Sequence, residues 1–588
     1  MKAIHLLTAL FVSVAALATL AACGPQAGTS QASVQKNNKT SAPNPMPLPP
    51  GEKPTDIKPG ARHPAIALSE AAFRRRVAEI SDDKYEGRAP TTPGGIAASQ
   101  WVADEMARIG LKPAVNGSYF ERVPLVESKL DTKASDFHFT VGGKPFAIPF
   151  GSDEIFWTKR VDPKLKFDNS DVVFVGYGIV APEYGWDDYD GLDVKGKTVV
   201  MLVNDPGFAT HDPKLFKGKA MTYYGRWTYK FEEAGRQGAT AAIIVHETAP
   251  ASYPWAVVSG SWSGAQYDLE RPDGGANRTK LEGWISHDAA QKLFAAAGQD
   301  YEAMKKSASM HGFKPVPMAG VTASGVVKSK IKHLVSRNVA GIVPGAKTPD
   351  EYVLYMAHWD HLGKKDVPEG EDGIYNGAVD NGTGVASILG IADAFMHQET
   401  PPDRSILFLA VTAEESGLLG SAYFAEDPFV PLKNIVGGIN IDALLPMGRT
   451  TDMEVVGYGA SQIEDILKEK AAQFGKHLVP DQTPEAGHFY RSDHISLAKK
   501  GVPMLYGSGG EDLIDGGKAA GKAFAEDYTA HRYHKPADEY SPSWNLSGIL
   551  EDDTILYEVG EAMSHDGVWP NWYEGNEFRA LRDKMREK

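Results

Sequence analysis

The sequence predicts an α/β fold, and three observations predict it. The runs 352–357, 406–411 and 435–441 are short, continuous and apolar, as strands buried on both faces are. A small-residue helical pattern at 385–394 lies between the first two. Each run ends in residues suited to metal or proton chemistry: His358 and Asp360 after the first, Glu414 and Glu415 after the second, Asp442 after the third. In an open α/β sheet the carboxyl edge of the strands is where ligands bind. Two adjacent carboxylates there repel each other and lose solvation, so positive charge is expected beside Glu414 and Glu415.

Taken in order, the chain opens with Lys2 and an apolar run at 6–20, the pattern of a secretion signal over 1–22. Residues 23–64 are rich in Ser, Asn, Gln, Lys and Pro and read as a disordered tether. Globular sequence begins near Ala65. Ser69 is the expected cap of a helix through Phe73, Val77 and Ile80, broken at Gly87-Arg88-Ala89-Pro90. A second helix is expected at 96–109, closed by Gly110 and Pro113. The next two hundred residues are too many for a loop. They read as strands at 172–177, 198–203 and 241–245 with a helix near 229–237. Residues 338–345 read as the strand and turn before the first polar cluster. The Gly- and Ala-rich stretch 507–525 is expected to be a mobile loop. A helix near 549–563 and an exposed helical tail over 574–588 close the chain.

His358, Asp380, Glu415, Asp442 and His534 all fall at strand ends or on adjoining loops, and two His with three carboxylates suit zinc or a similar divalent ion. The net charge of −15 argues against a nucleic-acid partner. Cys23 is the only cysteine, so no internal disulfide can form.

The chain resembles the M28 zinc peptidases. The resemblance is carried by A-H-W-D-H at 357–361, A-V-D-N-G-T-G at 378–384, A-E-E-S-G at 413–417, N-I-D at 440–442, R-S-D-H at 491–494 and Y-H-K-P-A-D at 533–538. It implies a mixed, mostly parallel central sheet flanked by helices, formed by 65–150 and 330–570. It also implies two zinc ions: His358, Asp380 and Asp442 would hold one, and Asp380, Glu415 and His534 the other, with Asp380 bridging. Glu414 would be the general base, Asp360 the orienter behind His358, and Tyr533 a hydrogen-bond donor to the tetrahedral intermediate. The peptide between Asp380 and Asn381 would be cis. The two opening helices, with E-G-R at 86–88, are similar to the family's first segment. Residues 150–330 resemble an inserted, mainly-β protease-associated domain, and 571–588 would be a charged tail. The Leu20-Ala21-Ala22-Cys23 stretch looks like a bacterial lipobox, which implies lipidation at Cys23 and an exported protein anchored in a bacterial membrane, either the outer membrane facing the periplasm or the cell surface.

The expected activity is removal of N-terminal residues from peptide substrates. A single-zinc glutaminyl cyclase, a carboxypeptidase and a non-catalytic receptor on the same fold are the alternatives.

Overall fold

The structure, a computed structural model, describes residues 68–587 except 263 and 566. The expected signal, tether and Cys23 lie outside the described residues. No helix among the described residues is long and apolar enough to cross a membrane.

Two helices open the described chain. The first, α1 (Glu70–Ile80), is capped as expected, with the Ser69 hydroxyl accepting the Ala72 N–H at 3.3 Å. The second, α2 (Pro93–Ile109), starts three residues earlier than its apolar pattern indicated, because Pro93 at its first turn needs no partner for a missing N–H. Gly110, at φ 98°, ends it.

The principal strands and helices that follow are β1 (Phe120–Leu130), β2 (Asp136–Val141), β3 (Glu154–Trp157), β4 (Lys164–Phe174), β5 (Thr198–Leu202), α3 (Trp227–Arg236), β6 (Ala241–His246), β7 (Ala265–Leu269), β8 (Leu281–Ser286) and β9 (Val316–Val343). After them come β10 (Thr348–His358), α4 (Gly384–Met396), β11 (Arg404–Val411), α5 (Leu419–Glu426), β12 (Ile435–Asn440), β13 (Met504–Gly509), α6 (Gly517–His531), α7 (Ser547–Ser564) and α8 (Arg579–Arg586).

The central sheet runs β7–β1–β9–β11–β10–β12–β13, and β11, β10, β12 and β13 are mutually parallel. This is the mixed, mostly parallel sheet the sequence predicted. Its strands read as unbroken apolar runs because both faces are covered. Val353, Tyr355 and Ala357 join the core beneath α1, α2, α4 and α7, while Leu354 and Met356 join a second core on the opposite face. Ile406, Phe408 and Ala410 alternate with Leu407, Leu409 and Val411 in the same way.

A second sheet runs β2–β9–β4–β5–β6–β8–β3, with β4, β5, β6 and β8 parallel. It has its own two cores, Val200 and Ile243 facing one and Val199 and Ile244 the other. The long strand β9 belongs to both sheets: its first half pairs with β2 and β4, its second half with β1 and β11. Residue 330, expected near the end of the insertion, lies inside this strand.

Two sequence expectations are corrected here. Residues 507–525 are not one loop: 507–509 end β13, 510–516 make the connecting turn, and 517–525 form the first part of α6, where Ala and Lys residues outweigh the flanking glycines. The tail is helical at α8 but not wholly exposed. Arg582 is buried and its guanidinium donates to the carbonyls of Ile435 and Val436 at 2.9 and 3.0 Å, beside buried Trp572 and Phe578.

Candidate metal centre

The carboxyl ends of the parallel strands converge. His358 is the last residue of β10, Glu414 and Glu415 follow β11, and Asp442 follows β12. Asp380 precedes α4 and His534 follows α6. The Asp380–Asn381 peptide is cis, as the sequence predicted.

Asp380 sits between the two imidazoles. Its Oδ1 lies 3.2 Å from His358 Nε2 and its Oδ2 lies 3.1 Å from His534 Nε2. Asp442 Oδ1 stands 3.3 Å from His358 Nε2, and Glu415 Oε2 stands 3.2 Å from His534 Nε2. The five residues thus form two three-donor groups sharing Asp380. Glu414 also lies within donor distance of His358 and Asp442, and His361 within donor distance of Asp380 and Glu415.

Other residues hold these in place. Ser492 donates to Asp442 Oδ2 at 2.7 Å and itself accepts from Asn440 Nδ2 at 2.8 Å. The Asn381 amide donates to the Ile441 carbonyl and accepts the N–H groups of Gly384 and Ala443. Asp538 accepts the N–H groups of Val379 and Asp380, both at 3.0 Å, and the Tyr528 hydroxyl at 3.2 Å. Arg88 is fully buried and donates to the carbonyls of Trp359, Ile80, Asn376 and Gly377, so it ties the segments leading to Asp380 to the residue after His358. The turn before it leaves no room for a side chain: a Cβ on Gly87 would clash with the Gly363 carbonyl oxygen, and its φ of 70° favours glycine.

Asp360 differs from its expected place. Its carboxylate is 3.9 Å from His358 Nδ1, beyond hydrogen-bond range, and the closer partner of that nitrogen is the Asp360 backbone oxygen at 3.2 Å. The carboxylate accepts the Glu414 N–H at 3.1 Å instead, so it positions the base candidate. Tyr533 stacks on His534 with ring centroids 3.9 Å apart. Sequence reasoning quoted Arg88, His361 and Asp538 within motifs but gave them no role. His361 is fully buried, with Nδ1 2.7 Å from Glu415 Oε1.

The electrostatics favour cations. Burial alone would push both His358 and His534 down, yet the carboxylates of Asp442 and Glu414 lift the first and that of Glu415 the second, both well above the ordinary value. Burial, then Glu415 and Asp493, pushes the Glu414 carboxyl well up. Four carboxylates, those of Asp380, Glu414, Glu415 and Asp442, thus gather around three buried imidazoles, those of His358, His361 and His534. The donor set, His nitrogens and carboxylate oxygens, fits zinc.

These residues line a cavity of about 510 Å³, within the range of small-molecule sites, roughly 300–1,000 Å³. Its other wall comes from the second sheet's segment, including Arg226, Tyr253 and Trp262. That segment is fixed to the central layer by the Lys499–Glu232 and Lys217–Glu577 ion pairs, at 2.8 and 3.1 Å.

Residues 338–555 match the model of peptidase family M28. Mouse (Mus musculus) aminopeptidase NAALADL1 is 35% identical over 138 residues, 22% of this chain and 17% of that protein. A probable zinc metalloprotease of Pyricularia oryzae is 34% identical over 270 residues, 42% of this chain and 51% of its own. The chain therefore spans about half, or much less, of these relatives' lengths. Among solved structures, the aminopeptidase from Aneurinibacillus sp. strain AM-1 aligns with a TM-score of 0.44 at 18% identity, over 85% of this chain and 94% of its own. The matched stretch 338–555 carries all five candidate ligands and Glu414.

Proposed function

We propose that the protein is a zinc-dependent aminopeptidase that hydrolyses the N-terminal bond of peptides. The observation that carries this is the placement of Asp380, with one oxygen toward His358 and the other toward His534, each group completed by a further carboxylate. His358, Asp380 and Asp442 would hold one ion, and Asp380, Glu415 and His534 the other. When bound, such a pair supplies Lewis acidity and an acidified water.

The chain's own residues do the rest. Glu414 is within the site and outside both ligand sets, so its carboxylate accepts the water proton and returns it to the leaving amine. Asp360 holds the Glu414 backbone and so aims that carboxylate. Tyr533, stacked on His534 in the cavity wall, donates its hydroxyl to the developing oxyanion. The segment within 150–330 is proposed to be a protease-associated-like insertion that selects substrates, which its share of the cavity wall supports.

The test is elemental analysis together with product mass spectrometry on paired free and N-acetylated peptides. About two zinc ions per chain and stepwise loss of N-terminal residues from the free peptides alone are expected. Loss from the C-terminus would make it a carboxypeptidase, and one zinc with no hydrolysis would favour a cyclase. Lipid attachment at Cys23 with export to a bacterial membrane is proposed separately. Cys23→Ala should then move the protein to the soluble periplasmic fraction, and unchanged membrane partitioning would refute it.

A further inference from the structure

The cavity holds two arginines that no function so far uses. Arg226 precedes α3 in the second sheet's segment, and Arg491 opens the R-S-D-H motif of the central layer. Both line the same cavity as Asp380, Glu415 and His534. Arg226 is 8% exposed, and its Nε is buried with no hydrogen-bond partner. Arg491 Nε and Nη2 are also buried and unpartnered. Neither guanidinium forms an ion pair among the described residues. Other buried arginines here have partners: Arg88 donates to backbone carbonyls, Arg582 does so through Nη2 although its Nε is also unpartnered, and Arg76 pairs with Glu105 at 3.0 Å and Asp393 at 2.9 Å.

Two guanidiniums buried in one cavity, neither with a carboxylate in ion-pair range among the described residues, are costly, because each loses water and gains a repelling neighbour; Asp481 acts on Arg491 only from farther off. Burial and then Arg491 draw the Arg226 guanidinium down to about 9, and the other groups acting on it, Tyr253 and Tyr490, are phenols rather than carboxylates. The metal-binding carboxylates therefore do not serve as its partners. A guanidinium presents a planar fork of donors that matches a carboxylate.

We propose that Arg226 and Arg491 form a carboxylate-binding subsite of the active-site cavity, and that the preferred substrates are short peptides carrying a carboxylate close to the scissile bond. The inference rests on the aminopeptidase reading for its substrate class. The carboxylate has two possible sources: the free C-terminus of a dipeptide or an acidic side chain beside the cleaved bond. A dipeptide acid would place its amino group and its carboxylate in one cavity that offers carboxylates from the central layer and guanidiniums at the insertion's wall.

The experiment measures calorimetric binding to zinc-loaded Glu414→Gln protein, with three probes. Leucylglycine carries a C-terminal carboxylate, leucylglycinamide carries none, and the α-amide of leucylglutamic acid carries only a side-chain carboxylate. Leucylglycine binding at least about tenfold tighter than its amide, with the difference abolished by adding Arg226→Gln and kept in part by Arg226→Lys, is the expected result and assigns the main-chain carboxylate. A gain seen only with the glutamic acid α-amide, and lost in the same way, upholds the subsite with the side chain as source. Equal binding of all three probes overturns it, as does a preference that survives both Arg226→Gln and Arg491→Gln. The wild-type protein is assayed for hydrolysis of the same probes. If it cleaves none while the binding pattern holds, the aminopeptidase reading fails and the subsite stands. If it cleaves all three alike and binding is uniform, the reverse is true.

Discussion

The carboxylate of Asp538 accepts the backbone N–H of Asp380 at 3.0 Å, while the side chain of Asp380 faces both imidazoles of the centre. One aspartate thus holds the main chain of another. Asp538→Asn replaces one acceptor oxygen by an amide whose hydrogens would face the N–H groups of Val379 or Asp380. Outer partners of metal ligands are typically worth about 10–100-fold in affinity or activity, and a loss of that order in zinc retention is expected. Zinc per chain after dialysis against a chelator series checks it, and wild-type retention would show that Asp538 does not set the position of Asp380.

Glu414 and Glu415 are neighbours in sequence and should fail differently. Glu415→Ala removes a donor from the His534 group, so zinc content should fall together with activity. Glu414→Gln leaves all five donors, so both metals should stay while kcat drops by about 10²–10⁴. Elemental analysis with kcat on an unblocked peptide decides between them. A Glu414→Gln protein that loses zinc while Glu415→Ala keeps it would reverse the two roles.

Arg88 donates to four carbonyls from three segments that surround the centre. Lysine keeps the charge but offers one compact donor group, so Arg88→Lys strands buried carbonyls. Each orphaned group costs about 1–3 kcal/mol, and a total of about 3 kcal/mol or more is expected. Thermal unfolding of the chelator-treated protein reads this without the contribution of metal. An unchanged Tm would mean that water or a shifted backbone satisfies those carbonyls.

Glu121, which is none of the candidate ligands, supplies a pH dependence of its own. Burial pushes its carboxyl up to about 8, against the opposing hydrogen bond from Asn338 Nδ2 at 2.7 Å. An unfolded glutamate titrates near 4.3. Below that the group is protonated in both states and costs nothing. As pH rises from there to about 8, only the unfolded chain ionises, so stability falls by at most roughly 1.4 kcal/mol per pH unit, and above 8 the loss levels off. Glu121→Gln should remove this slope and be more stable than wild type at pH 8 by more than at pH 5. Denaturant midpoints across that range measure it, and parallel pH profiles for the two proteins would exclude Glu121 as the source.

The strands, and His358, Glu415 and Asp442 with them, were legible because a sheet covered on both faces leaves an uninterrupted apolar run whose end marks the carboxyl edge, whereas Asp380 and His534, on loops beside helices, were read from their motifs. Arg88 and Asp538 were not legible in role, since what they bind is backbone, which leaves no side-chain signature at the other end. The resemblance implied Asp360 as the orienter behind His358, but past the end of β10 its carboxylate accepts the Glu414 N–H instead. Glycines in 507–525 suggested a loop, while the Ala and Lys content that makes α6 a helix carried the stronger local preference. Arg226 sits some 130 residues before the first metal motif, and only the fold brings it to the cavity.

Sharing β9 between two sheets fixes an order of assembly during synthesis. β1 lies between β7 and the second half of β9, and its pairing partners Ser329 to Val339 leave the ribosome roughly two hundred residues after it. At about 5–20 residues per second, the edge of β1 that pairs with β9 waits on the order of tens of seconds, and β7, which covers the other edge, is made before that partner. Its sequence, FERVPLVESKL, suits that wait. Pro124 cannot complete a ladder with a stranger, and Glu121, Arg122, Glu127 and Lys129 set charge at intervals along an otherwise adhesive strand. Such a strand disfavours pairing with strangers until β9 is made and closes the central sheet.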